Sequence, residues 1–315
     1  MTTAQPCVSE VLVQNVGATV GRMPSPWQRQ RLGDSAPATR RLDQEGTAVD
    51  EFVRSNRELW DHWADLHLHS AFYDVAGFKA GRSSLQPIEL AELGGVAGKS
   101  LLHLQCHFGM DALSWARLGA KVTGVDFSGR AIELARSLAE ELRLPARFVH
   151  SDIYDLPAVL QGPFDIVFTS YGVLFWLPDL RRWAEVVARF LKPGGVFYIV
   201  EFHPFANIFE TEGVTDLQPA YPYFHGPEPL RFETHGSYAD PTADYRFVEH
   251  GWDHPLGEIV NALLAAGLRL EFLHEFPYCG YQRFSFLERD ADGRWRLPGR
   301  LAGMLPLLFS LRATK

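Results

Sequence analysis

Residues 100–127 read SLLHLQCHFGMDALSWARLGAKVTGVDF, and this stretch decides the fold. Ser100 to Cys106 is a short apolar run of strand length, Met110 to Leu118 repeats apolar residues at helical spacing, and Lys121 to Phe127 returns to small and β-branched residues. The two strands are joined by a helix rather than a tight turn. They must therefore run parallel, with the helix crossing one face of the sheet.

The same alternation continues downstream. A helix over Ala131–Leu142, a strand over Arg147–His150, a strand over Phe164–Ser170, a helix over Leu180–Leu191 and a strand over Val196–Phe202 follow in order. Pro193-Gly194-Gly195 is expected to stop the helix and turn the chain into that strand. A further helix (Leu256–Ala266) and strand (Leu268–Phe276) precede a last apolar stretch, Leu305–Leu311, which follows its predecessor so closely that it is expected to enter the sheet antiparallel. Between them, residues 203–255 hold ten aromatics and five of the twelve histidines, a composition that marks an inserted cap. Leu230–Tyr238 and Tyr245–Trp252 flank a turn-rich hexapeptide and predict a β-hairpin.

Upstream, Phe52, Val53, Leu59, Trp60, Trp63, Leu66 and Leu68 recur at helical spacing and predict an amphipathic helix followed by a loop at Ala71–Gly81. Residues 1–46 lack any periodicity and read as a disordered tail, with the folded domain spanning 47–315.

In an open parallel sheet, ligands bind beyond the carboxyl ends of the strands where strand order reverses, so the loop after the first strand is the candidate site. That loop, Gln105-Cys106-His107-Phe108-Gly109, has one glycine where a pyrophosphate-binding fingerprint needs three. A dinucleotide is disfavoured. The next strand ends in Asp126, whose carboxylate is placed to accept from both ribose hydroxyls. The third ends in Ser151-Asp152-Ile153, where an acid can meet an adenine amino group, and Phe127 and Ile153 are placed to sandwich the adenine ring.

The segments LLHLQCHFG, VTGVDFS, SDIYDLP, FDIVFTSYGVLFWLPD and LKPGG, in this order, resemble the class I S-adenosylmethionine (SAM)-dependent methyltransferases, in particular a bacterial small-molecule subgroup with HLQCHFG in its glycine-loop position. The resemblance covers roughly Val49 to Lys315. It implies an α/β, Rossmann-like, seven-stranded and mainly parallel sheet flanked by helices, with an N-terminal helical lid and the aromatic cap. It also implies that the Gln105, Cys106, His107 and Gly109 backbone approaches the methionine part of SAM, that Asp126 with Phe127 holds the ribose and adenine side, that Asp152 and Ile153 meet the adenine, and that Thr169, Ser170 and Tyr171 lie beneath the sulfonium. Tyr73, in the loop after the lid helix, is expected to close over the cofactor. Most members carry an acid where this chain has His103 and glycines where it has Gln105 and His107, so the Gln105 amide becomes a candidate contact.

For acid–base work the candidates are Glu201, His203, His250, His254 and Tyr171, because the cap begins where the fifth strand delivers its end to the cleft. Tyr171, Trp176, Phe205, Tyr223 and Trp252 are candidate aromatic walls, suited to excluding water and attracting a cationic sulfonium. His103 reads as a hydrogen-bonded core histidine and Cys106 as a packing residue rather than a nucleophile. The pairs His67/His69 and His250/His254 lack a helical face that would aim both rings at one ion, so no metal is expected.

The formal net charge of −8 and the absence of a basic patch argue against nucleic acid. Three scattered cysteines, no signal-like segment and no bilayer-length apolar run fit a cytoplasmic protein without a membrane partner, whether monomer or homodimer. The expected reaction is methyl transfer from SAM to oxygen or nitrogen of a small organic molecule, releasing S-adenosylhomocysteine. Two rivals are weighed beside it: a SAM-binding protein that does not methylate, acting as a regulator or cyclase-type catalyst, and a nicotinamide-dependent oxidoreductase, which the missing glycines oppose. The Asn/Asp-Pro-Pro-Tyr signature of DNA amino-methyltransferases is absent, the chain reading Thr169-Ser170-Tyr171-Gly172 there.

Overall fold

A computed structural model describes residues 27–29, 45–211, 213–226 and 228–315. The central sheet contains β2 (Ser100–Leu104), β3 (Lys121–Asp126), β4 (Ala146–His150), β5 (Phe164–Ser170), β6 (Leu191–Phe202), β9 (Arg269–Phe276) and β13 (Leu308–Thr314). Their order across the sheet is β4-β3-β2-β5-β6-β13-β9. Ladders β4-β3-β2-β5-β6 are parallel, and β13 inserts antiparallel between β6 and β9. The expected antiparallel final strand is present, three residues later than its apolar run suggested. Strand order reverses between β2, with β3 on one side, and β5 on the other, so the loop after β2 opens into the crevice where such sheets bind ligands.

The period of two along each strand divides the core. Tyr198 and Val200 of β6 face one hydrophobic cluster with Trp115 and Phe168, while Phe197 and Ile199 face the other with Trp183 and Leu263. Each such side chain, fully removed from water, contributes roughly 2–3 kcal/mol. Helices α4 (Met110–Arg117), α5 (Gly129–Glu141), α6 (Leu156–Val159), α7 (Leu180–Phe190) and α8 (Leu256–Ala265) cover the sheet. Side-chain caps start two of them: Ser128 accepts from the Ala131 N–H of α5 and Asp179 from the Arg182 N–H of α7.

The turn after α7 differs from expectation. The helix ends at Phe190, and Pro193-Gly194-Gly195 lies inside β6 rather than ahead of it. Leu191 already pairs with Phe164, the register breaks, and pairing resumes at Ile166 with Val196. Gly194, at φ 73°, accommodates that break in the left-handed region where glycine is favoured.

Helix α1 (Glu45–His69) is the expected lid helix, and the loop after it contains a short helix, α2 (Val75–Lys79), before α3 (Pro87–Leu93). Asn56, 1% exposed, bonds both backbone groups of His250, donating to its carbonyl at 2.7 Å and accepting from its N–H at 2.9 Å. On its other side, Asp61 accepts from Ser128 Oγ and the Arg130 N–H at the start of α5. The Trp63 indole donates to Gly236 O at 3.0 Å. These contacts fix the lid between the cap and the core.

The predicted hairpin forms from β7 (Leu230–His235) and β8 (Arg246–Gly251), antiparallel. A third strand, β1 (Trp27–Arg29), pairs antiparallel with β7, so these three residues of the expected tail join the cap sheet. The remainder of that tail up to Glu45 lies outside the described residues, and α1 begins at Glu45. A second small sheet, β10 (Tyr278–Cys279), β11 (Glu288–Arg289) and β12 (Trp295–Arg296), lies between β9 and β13 in the chain. Among the described residues no helix is long and apolar enough to cross a membrane.

Candidate cofactor and acceptor site

The loop after β2 bends sharply. Gln105 (φ 56°), His107 (φ 51°) and Gly109 (φ 81°) all sit in the left-handed region, where two side-chain-bearing residues cost of order 1–3 kcal/mol each. The loop therefore needs external support. Asp126 supplies it, one carboxylate oxygen accepting from the His107 N–H at 2.7 Å and the other from the Ser128 N–H at 2.9 Å. Gly109 tolerates no side chain, since a Cβ there would lie 2.7 Å from the Phe148 ring. Phe148 also packs on Gly124 of β3, so one aromatic ring sets the depth of the loop.

This loop floors a cavity of about 1100 Å³. Of the expected cofactor residues, Tyr73, Gln105, Cys106, His107, Gly109, Asp126, Phe127, Asp152, Ile153 and Ser170 line it. Thr169 does not. It is fully buried, its hydroxyl donating to Leu104 O at 3.2 Å, so it ties β5 to β2 beneath the floor.

Among the carboxylates that line the cavity, buried Asp126 and half-buried Asp152 and Asp111 lie beside the loop and the strand ends. Burial raises the pKa of Asp126 to about 6 against the two N–H groups it accepts from. Burial likewise raises Asp152, which closes a turn by accepting from the Tyr154 N–H and lies 3.9 Å from Arg57. Asp111, on the first turn of α4, is the third; burial raises it too, and it accepts from Ser170 Oγ at 3.2 Å. Sequence reading missed Asp111, although an acid two residues past the loop glycine is a recognisable signal at a helix start. The Gln105 amide donates to Val173 O at 2.9 Å, which leaves its buried Oε1 without a hydrogen-bond partner.

The lid closes the opposite side. His107 Nε2 and His67 Nδ1 of α1 are 3.0 Å apart, and burial drives the His67 pKa down to about 3 and that of His107 well below its usual value. Both rings are therefore neutral and share one hydrogen bond. Trp60 and Trp63 pack around them, and the Tyr73 hydroxyl pairs with the hydroxyl of Tyr238 from the cap. The sequence singled out His67 only in a metal reading with His69 and did not point to Tyr238, because nothing in local spacing brings a lid helix and a hairpin turn to one loop.

The five acid–base candidates separate clearly. Glu201 lines the cavity, but its carboxylate accepts from the N–H groups of Gly172, Val173, Leu174 and Phe202, so it holds the Tyr171–Leu174 turn and has no free basic lone pair to offer. Tyr171 also lines it and donates its hydroxyl to Glu89 at 3.0 Å. His203 lies off the cavity, accepting from the Phe205 N–H and pairing with Glu275 at 2.8 Å. His250 lies off it too, stacked on Phe52 of the lid at 4.5 Å between ring centres. His254 borders the cavity with one ring edge, its Nε2 bonded to Leu177 O at 2.8 Å. The strand end delivers Glu201 to the cleft, yet the following 3-10 turn carries His203 away.

Other side chains also depart from expectation. Of the aromatic walls, Tyr171, Trp176 and Trp252 line the cavity; Phe205 and Tyr223 pack on each other outside it, and Tyr223 accepts from the Leu256 N–H. His103 is buried in the cavity floor but makes no hydrogen bond, packing edge-on to Phe168, and burial drives its pKa to about 3. Cys106 is a buried free thiol whose pKa is pushed up by burial, which removes it as a nucleophile.

The reversed strand order, the strained loop after the first sheet strand and the acids ending the next two strands define the fold of the class I SAM-dependent methyltransferases. Residues 101–195 match the family described as methyltransferase domain. A solved SAM-dependent methyltransferase from Mesorhizobium loti superposes with a TM-score of 0.51, at 21% identity, over 75% of this chain and 100% of that one. Ubiquinone biosynthesis O-methyltransferase of Alkalilimnicola ehrlichii is 32% identical over 132 residues, 41% of this chain and 53% of the relative. The protein of the same name from Albidiferax ferrireducens is 33% identical over 173 residues, 53% of this chain and 63% of the relative. The chain thus spans between half and two thirds of the length of these relatives.

Proposed function

We propose that the chain is a SAM-dependent methyltransferase acting in the cytoplasm on oxygen or nitrogen of a small organic molecule. The observation that carries this reading is the hydrogen-bonding character of the cavity. Asp111, Asp126, Asp152 and the orphaned Gln105 Oε1 are acceptors, and SAM presents donors to match them in its ammonium, ribose hydroxyls and adenine amine. Aromatic walls from the lid and cap suit a cationic sulfonium. Asp126 would hold the ribose, Asp152 with Ile153 and Phe127 the adenine, and Gln105 with Asp111 the methionine ammonium.

When bound, SAM supplies an electrophilic methyl group on its sulfonium. The chain's own residues position and desolvate: Glu201 fixes the turn that shapes the acceptor side, and the lid excludes water. Of the five acid–base candidates, His203 and His250 lie off the cavity, Glu201 and Tyr171 are hydrogen-bonded, and His254 Nδ1 faces Glu258, so rate is assigned to in-line placement rather than to proton abstraction. The relatives named for O-methylation in ubiquinone biosynthesis favour a hydroxyl acceptor. Calorimetric titration with SAM and S-adenosylhomocysteine, then methyl-label transfer to a panel of phenols, alcohols and amines, tests the proposal. Label appearing on a hydroxyl supports it; tight SAM binding with no transfer to any acceptor would establish the non-methylating reading instead.

A further inference from the structure

Away from the loop, the cap meets α8 through His225, His254 and Glu258, whose ligand atoms all lie within 4.8 Å of one another. His225 Nε2 is 3.1 Å and His254 Nδ1 3.5 Å from the same Glu258 Oε2. The other nitrogen of each ring is committed. His254 Nε2 faces Leu177 O at 2.8 Å, and His225 Nδ1 faces Gly226 O at 2.7 Å. A carbonyl oxygen only accepts, so both of those nitrogens carry hydrogen. In neutral rings the inward nitrogens are then lone pairs, and both point at a carboxylate oxygen that is itself an acceptor. His254 is 4% exposed, and its Nδ1 is buried with no hydrogen-bond partner.

With both rings neutral, three lone pairs converge without a donor among them, an arrangement satisfied by a proton shared with Glu258 or by a bound cation. We propose that His225, His254 and Glu258 form a zinc site that clamps the cap to the start of α8. Four-coordinate zinc with nitrogen and oxygen ligands at 2.0–2.2 Å has ligand-to-ligand edges of about 3.4 Å, which the two measured edges bracket. Imidazole and carboxylate suit this borderline ion, and the outward N–H of each histidine on a backbone carbonyl is the support that fixes tautomer and ring orientation in zinc sites. A further contact shows what the clamp joins: Tyr223, two residues before His225, accepts from the Leu256 N–H on the first turn of α8. Leu177 and His254 both line the cavity whereas His225 and Glu258 do not, so the site braces the cavity wall from its outer side. The ligands are 33 and 4 residues apart, so the pattern shows only once the cap is folded onto the helix.

Tag-free, chelator-treated protein titrated with Co²⁺ tests the site without any use of activity. Wild type is expected to bind one Co²⁺ per chain with the intense visible bands of a four-coordinate centre, and Zn²⁺ is expected to displace it. His225→Ala and Glu258→Gln should each weaken binding by roughly tenfold or more, while His235→Ala, a cap histidine outside the cluster, should bind as wild type does. Circular dichroism checks that each variant is folded, and His225, on a surface loop, is the substitution least able to disturb the core. No saturable binding, a weak six-coordinate spectrum, or equal affinity in all variants would overturn the proposal. SAM titration of the same samples is independent of that outcome, so failure of the metal site and failure of the methyltransferase reading are distinguishable.

Discussion

At Asp126, backbone N–H groups occupy one lone pair on each carboxylate oxygen, and one on each remains for a ligand. Asp126→Ala should therefore remove both the ribose acceptor and the brace on His107, weakening SAM binding by about 2–3 kcal/mol, roughly 30- to 150-fold by calorimetry. Unchanged affinity would refute the ribose assignment. The raised pKa gives the sign of a pH effect. With the carboxyl held at about 6, its ionised form is lost as pH falls through that value, so SAM affinity should decline from pH 7 to pH 5, and Asp126→Asn should flatten the decline. Glu201 makes a contrasting case. It accepts from four backbone N–H groups, so Glu201→Ala leaves a buried turn without acceptors and should cost about 2–4 kcal/mol of stability in urea unfolding. A variant as stable as wild type, but slow in methyl transfer, would restore Glu201 as an acid–base group.

Among the elements, α1 owes its position to side chains that imitate backbone. Asn56 pairs with His250 as a neighbouring strand would, and Asn56→Ala should unpair both groups of His250 at once. The expected result is a loss of about 1–3 kcal/mol, faster proteolysis of the lid, and a KM for SAM that rises more than kcat falls. Unaltered proteolysis would show that Trp63 and Asp61 hold the lid alone. The same helix marks how far sequence carries. Its apolar spacing, the strand–helix alternation and the cap hairpin were all legible because each is a local period. The end of α7 was misplaced because Leu191 is taken by the ladder to Phe164, a long-range pairing that helical spacing does not register. Strand β1 is three residues long, too short for any period. In the site, strand-end acids could be read from position alone, whereas His203 and His250 could not: a strand fixes which residue reaches the cleft edge, and the turn after it decides where the next one points. Convergence of His67 with His107, and of His225 with Glu258, is purely tertiary.

For the whole molecule, buried titratable groups pull stability in opposite directions with pH. His67 and His103 have pKa values near 3, and His107 lies well below its usual value. Their unfolded forms bind protons below about 6.5, so stability is lost as pH falls from there. Glu89 acts the other way. It is fully buried beside Tyr171, and burial raises its pKa from 4.5 to about 8, so the folded state holds a proton that the unfolded chain releases above pH 4.5. Its contribution is complete below that value and is lost as pH rises through 8. Above 6.5 these histidines no longer titrate and Glu89 remains. The Glu89 contribution should thus fall by about 2 kcal/mol between pH 6.5 and 8. Glu89→Gln keeps one acceptor oxygen for the Gln86 N–H and presents an amide N–H to the Tyr171 oxygen, but it cannot ionise, so its stability should stay level over that interval. Urea midpoints at several pH values between 6 and 8.5 for both proteins decide the matter. Parallel curves would mean that Glu89 enters the fold already ionised, and any alkaline decline would then have to originate in groups other than the carboxyl beneath Tyr171.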